Sequence, residues 1–128
     1  MTAIVIDHDL PFIQVVLYTN AKSLILPRVL LDTGSAATVF RTDDLLQIGI
    51  LPQPEDTIRY MAGIGGIESV VEKEIEIIEV AGASLNSFKV QLGALDYGVP
   101  MNGILGLDFL LQAEMQIDFG KLQIGKSV

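Results

Sequence analysis

LLDTGSAATVF, residues 30–40, decides how the rest of the chain is read. Two leucines lead into Asp32-Thr33-Gly34, and an apolar run resumes a few residues later. A strand entering a core avoids a carboxylate, because burying an unpaired charge is costly. Asp32 therefore either ends a strand in water or is held for chemistry. Taken alone, the triplet is compatible with an ordinary strand-ending turn.

Bulk properties narrow the choice. The chain has 128 residues, the size of one domain, and half of them are hydrophobic. A disordered reading fails on that composition. There are five Phe, three Tyr and no Trp, so the core is aliphatic. A formal net charge of −8, with only eight scattered Lys and Arg, argues against a nucleic-acid partner. Zero Cys removes disulfides, thiolate catalysis and Cys-ligated zinc. The single His8 cannot build a His-rich metal site and reads as a surface residue. The start, MTAIVIDHDLPF, lacks the basic region of a signal peptide. No stretch approaches the ~20 apolar residues of a membrane span. A cytoplasmic protein without a membrane partner is the expectation.

Outward from the triplet, the pattern is mostly strand. Residues 12–18 (FIQVVLY) and 24–31 are apolar runs around the turn-like TNAKS, which predicts a hairpin. Pro27 predicts a bulge or an edge position. Ala37 to Phe40 reads as a short strand. RTDDLLQIGI, residues 41–50, reads as one short helix capped by Thr42 and ended by Gly49. Pro52 and Pro54 mark a loop. Thr57 to Val80 predicts two long strands around AGIGG, residues 62–66. EKEIEI alternates in the second of them, so Glu68, Glu72, Glu74, Glu76 and Glu79 read as a solvated face. A turn at AGAS, a strand from Leu85 to Leu92 and a loop over 93–103 follow. LDFLLQAE, residues 107–114, predicts a helix, and MQIDFGKLQIG a closing hairpin that turns at Gly120-Lys121. An apolar strand, a glycine-containing site and a short helix occur near Asp32 and again at GILGLDFLLQ, a weak internal echo.

Other chemistries fit poorly. Ser35 lacks the glycines two residues away on each side that a nucleophile elbow uses, and His8 is the only imidazole. AGIGG is followed by Glu68 and a strand, whereas a phosphate-cradling loop is followed by a helix and usually contains a Lys. Met61 and Met101 read as packing residues.

Three segments remain, in order along nearly the whole chain: LLDTGSAATV, YMAGIGGIESV and NGILGLDFLLQAEMQIDF. Together they resemble the retropepsin family, the retroviral-type aspartic proteases and their cellular and bacterial relatives. The resemblance implies an all-β acid-protease barrel with short helices, one lobe per chain over residues 1–128, working as a homodimer. It implies that Asp32 is catalytic and that Thr33 and Gly34 support the catalytic loop, Thr33 by a hydroxyl reaching across the dyad. Ser35 and Ala36, with Gly63, Ile64, Gly65 and Gly66 of a glycine flap, would meet substrate. Ile104, Leu105 and Gly106 would form the site floor.

Such chemistry needs two carboxylates flanking one water, one acting as base and one polarising the scissile carbonyl. This chain has one triplet, so a second copy would supply the other Asp32 across a twofold axis. Asp118 lies on a strand without the triplet, and Asp108 at a helix start suits a cap or dipole role. Neither a metal nor another cofactor is implied. The expected partners are a second copy of the chain and a peptide or unfolded protein. A rival reading is a catalytically weak or inactive dimeric peptide-binding module of the same fold; a purely structural dimeric β domain is a third. The chain departs from the retroviral pattern where an acid after the triplet pairs with an Arg after the third motif's glycine. Ala36 and the Leu107-Asp108 pair occupy those places, so dimer support near the site must come from elsewhere.

Overall fold

The computed structural model describes residues 1–63 and 66–127. The chain forms β1 (Thr2–Ala3), β2 (Val5–Asp7), β3 (Leu10–Thr19), β4 (Lys22–Leu31) and β5 (Val39–Arg41) before its first helix. That helix, α1, covers Thr42–Leu45. Then come β6 (Ile58–Gly63), β7 (Gly66–Val80), β8 (Ala83–Gly93) and β9 (Gly103–Leu105). The second helix, α2 (Leu107–Gln112), precedes β10 (Met115–Asp118) and β11 (Gln123–Lys126). The fold is mostly β with short helices, as the sequence predicts.

One sheet runs β2-β3-β4-β9-β5-β8-β7-β6, and β3 also pairs with β7. The extra pairing joins two distant members of the sheet, so β3, β4, β9, β5, β8 and β7 close into a barrel. Closure satisfies the edges an open sheet would expose. β2 and β6 hang off it as flanking strands. A small sheet, β1-β11-β10, lies beside it, and its Ile124 joins the main core.

Alternation explains β3. Ile13, Val15, Leu17 and Thr19 point inward, while Gln14 and Tyr18 point out. The bulge signalled by Pro27 is present. Ile13 faces Val29 and Val15 faces Leu26, so Pro27 and Arg28 together oppose Gln14. The core divides into two clusters. The main one fills the barrel with Leu17, Val29, Phe40, Ile75, Val90 and Leu105, and Phe109 plugs α2 onto it edge-to-face with Phe88 at 5.7 Å. The second joins Phe12, Val39, Leu95, Met101 and Ile104, with Met61 packed against it.

Several local expectations need correction. The segment 41–50 is not one helix: α1 gives way to a 3-10 turn over Leu46–Ile48, and Gly49 closes it. Thr42 does not cap α1; its hydroxyl donates to the Gly93 carbonyl instead. The acidic face of β7 is only partly solvated. Glu76 accepts from Thr19 Oγ1 at 2.9 Å and from the Asn20 N–H at 2.6 Å, and Glu68 is also engaged. The N-terminal strands β1 and β2 were not legible in the sequence. His8 lies exposed beside Asp7, as read. Met61 and Met101 are packing residues.

Candidate active site

β4 runs apolar through Leu30 and ends at Leu31, and Asp32 follows directly. Its neighbour β9 is parallel, with Leu30 beside Ile104 and Leu31 beside Leu105. The Asp32 N–H donates to the Leu105 carbonyl at 3.1 Å, extending that ladder by one bond. The chain then turns: the Ser35 N–H donates to the Asp32 carbonyl at 3.2 Å. The Asp32 carboxylate accepts the Gly34 N–H at 3.0 Å, which aims one oxygen back into the turn. Asp32 is half-buried, and Thr33, Gly34 and Ala36 are exposed. The question raised by the triplet thus has an answer in the backbone. The carboxylate stands at a strand end, anchored and open to solvent.

The return leg is wedged from below. β9 lies between β4 and β5, pairing with the first in parallel and with the second antiparallel. Both strands that flank the triplet therefore lean on a strand from much later in the chain. The Leu107 N–H donates to the Ser35 carbonyl at 2.7 Å. A Cβ on Gly106 would lie 2.5 Å from the Ala37 oxygen and 2.9 Å from the Ser35 oxygen, so only glycine lets the two loops meet.

A buried polar relay locks this contact. Thr38 Oγ1 accepts the Gly106 N–H at 3.0 Å and donates to Asp108 Oδ1 at 2.8 Å. The Thr38 N–H donates to Asp108 Oδ2 at 3.1 Å, and Asp108 Oδ1 also accepts from the Phe109 N–H. Asp108 is therefore more than a helix cap: it ties α2 to the strand after the triplet. Thr38 is fully buried, and sequence reading passed it over as strand filler. A polar residue inside ATVF was the available signal, because buried hydroxyls need partners.

Of the residues expected at the site, the structure brings Asp32 against Leu105 and Ser35 against Gly106, with Ile104 beside Leu30 on the strand before the triplet; Thr33 and Gly34 lie exposed on the turn. Ala36 sits exposed on the same loop. Gly63 and Gly66 face each other as the outermost pair of the β6–β7 hairpin. Ile64 and Gly65 lie outside the described residues. Met61 of the hairpin packs on the cluster containing Ile104 and Val39. A separate cleft of about 630 Å³ is lined by Arg41, Thr42, Asp43 and residues 93–101, and none of Asp32 to Ala36 borders it. Among the described residues, no three His, Asp or Glu gather as metal ligands. No helix there is long and apolar enough to cross a membrane.

This arrangement of strand, anchored Asp-Thr-Gly turn and wedging glycine coincides with a family match. The model of the aspartyl protease family matches residues 21–109, from the β3–β4 turn to the first half of α2. The chain belongs to the retropepsin-like aspartyl protease family. Aspartic protease chemistry is the activity that membership assigns to it. No curated protein matches the sequence.

Proposed function

We propose that the chain is an aspartic endopeptidase that cuts extended polypeptides as a homodimer, with one water held between two copies of Asp32. The anchored, solvent-facing Asp32 carboxylate carries this reading. One carboxylate takes a proton from the water, whose oxygen attacks the scissile carbonyl carbon. The partner's carboxyl, protonated, donates to the carbonyl oxygen, giving a tetrahedral diol. Proton transfer to the amide nitrogen then breaks the C–N bond and releases an acid and an amine. Gly106 and the Thr38–Asp108 relay hold the turn rigid while charge moves.

The β6–β7 hairpin acts as the flap. An extended peptide adds its backbone between flap and floor, and apolar pockets read alternate side chains. The dimer forms on the face that carries Asp32. Leu107 and Leu111, one helical turn apart, are 38% and 67% exposed on α2, whose first N–H bonds the triplet loop. With exposed Ala36 they offer apolar area where the retroviral ion pair is missing.

The test is cleavage of an unfolded protein at mildly acidic pH, with and without a statine-type inhibitor. Asp32→Asn is expected to abolish cleavage while leaving the circular dichroism and melting temperature unchanged or improved. Normal turnover by Asp32→Asn would remove the mechanism. Inhibitor binding without turnover in the unmutated chain would favour the peptide-binding module.

A further inference from the structure

Glu68 is the acid on β7 nearest the closing Gly63–Gly66 pair, and it lies across the hairpin from Met61. Its carboxylate reaches out of the hairpin to the segment 94–102. Oε1 accepts the Ala94 N–H at 3.1 Å, and Oε2 accepts the Tyr97 hydroxyl at 3.0 Å. Gly93 makes room: a Cβ there would lie 3.2 Å from Oε1. Both carboxylate oxygens are thus spent on one neighbouring segment. That segment's far end is fixed to the barrel. The Arg28 N–H donates to Asn102 Oδ1 at 2.9 Å, Asn102 returns its own N–H to the Arg28 carbonyl, and Arg28 Nε donates to the Pro100 carbonyl. Leu95 and Met101 of the same segment pack with Ile104 and Val39, in the cluster that Met61 also joins.

We propose that Glu68 is a positioning residue that latches the β6–β7 hairpin to the 94–102 segment, so that the two move as one body when a peptide binds. The inference rests on the reading of that hairpin as the flap. Hydrogen bonds to a charged acceptor are the stronger kind, and two from one segment fix an orientation as well as a distance. A hairpin held only by its base would have to order itself each time a peptide arrives. A latched one meets substrate already held in place, and peptide affinity improves by the fraction of chains in the competent arrangement.

The experiment measures residue-resolved hydrogen exchange in Tyr97→Phe and Glu68→Ala, then steady-state peptide cleavage. Tyr97→Phe removes one hydroxyl on the segment, yet it is expected to speed exchange about fivefold in the hairpin around the Met61–Glu68 pair. Glu68→Ala is expected to do the same at Ala94 and Tyr97, and Glu68→Gln, which keeps an acceptor, to restore part of the protection. KM for a peptide is expected to rise about fivefold in both variants with kcat within about twofold. Loosening confined to the mutated segment overturns the coupling, as does a fall in kcat with KM unchanged. If the unmutated chain cuts nothing, the protease reading fails; the exchange data still decide whether the latch couples the two segments.

Discussion

At the scale of single residues, Thr38 and Gly106 fix the segment that follows the triplet. Thr38→Val keeps shape and removes the hydroxyl that bridges Gly106 and Asp108. A partly buried carboxylate and a buried N–H each lose a partner, so a cost of about 1–3 kcal/mol is expected in denaturant unfolding. Gly106→Ala cannot be relieved by a rotamer change, because its clash is with backbone. Activity there is expected to fall further than stability does, read as kcat/KM against the unfolding midpoint. Tyr97 gives a spectroscopic handle on the latch. Burial first, then its hydrogen bond to Glu68 and the negative charge of that group, push its phenol above the ordinary tyrosine range. Glu68→Ala is expected to bring the ultraviolet phenol titration back down; an unmoved titration would mean the contact does not persist in solution.

Among the elements, the hairpin is fastened at its base as well as near its tip. Lys73 Nζ sits 2.9 and 2.7 Å from the two Asp56 oxygens, and Asp56 also accepts the Gln53 N–H at 2.6 Å. The lysine hydrogen bond first, then the backbone N–H and the lysine's charge, hold the Asp56 carboxyl below its usual range against desolvation. Asp7 beside Arg28 and Glu76 beneath Asn20 are lowered too. A depressed folded-state value means stability that is present above the unfolded value and lost as pH falls through the folded one. Thermal stability is therefore expected to decline as pH drops below the ordinary carboxylate range. Asp56→Asn should flatten that decline and lower stability near neutrality; an unchanged slope would show that Asp56 carries none of it. The strands themselves were legible, because β3, β7 and β8 alternate or run apolar over long stretches. The triplet was legible because a carboxylate interrupts such a run. What stayed hidden was pairwise. Glu68 shares its spacing with solvated neighbours on β7, and only the approach of residues 94 and 97 recruits it. β1 and β2 are short and mostly exposed, so no periodicity marks them. The helix expected over 41–50 is instead α1 followed by a 3-10 turn, which left-handed Gly49 ends.

For the whole molecule, the prediction concerns number of copies. A site shared between chains makes specific activity rise with protein concentration around the dimer dissociation constant. Excess Asp32→Asn chain added to the unmutated protein should poison it through mixed dimers. Activity per chain that stays constant on dilution into a demonstrably monomeric range would exclude the shared site. Two carboxyl groups holding one proton between them give a bell-shaped rate profile, expected to peak between about pH 4 and 6. A rate still climbing through pH 8 would point to other chemistry. Because acid also weakens Asp7, Asp56 and Glu76 pairings, the acid limb must be read beside a melting curve at each pH.

The insertion of β9 between β4 and β5 also sets a timetable. A ribosome delivers Asp32 well before the strand that supports its turn, Gly103–Leu105. Until then β4 and β5 lack the neighbour that lies between them, and Gly106 is not there to brace the loop. A nascent chain halted before residue 103 therefore carries the acid without its seat. The triplet is therefore braced only once residues 103–106 have left the translation machinery, and whatever Asp32 does waits on them.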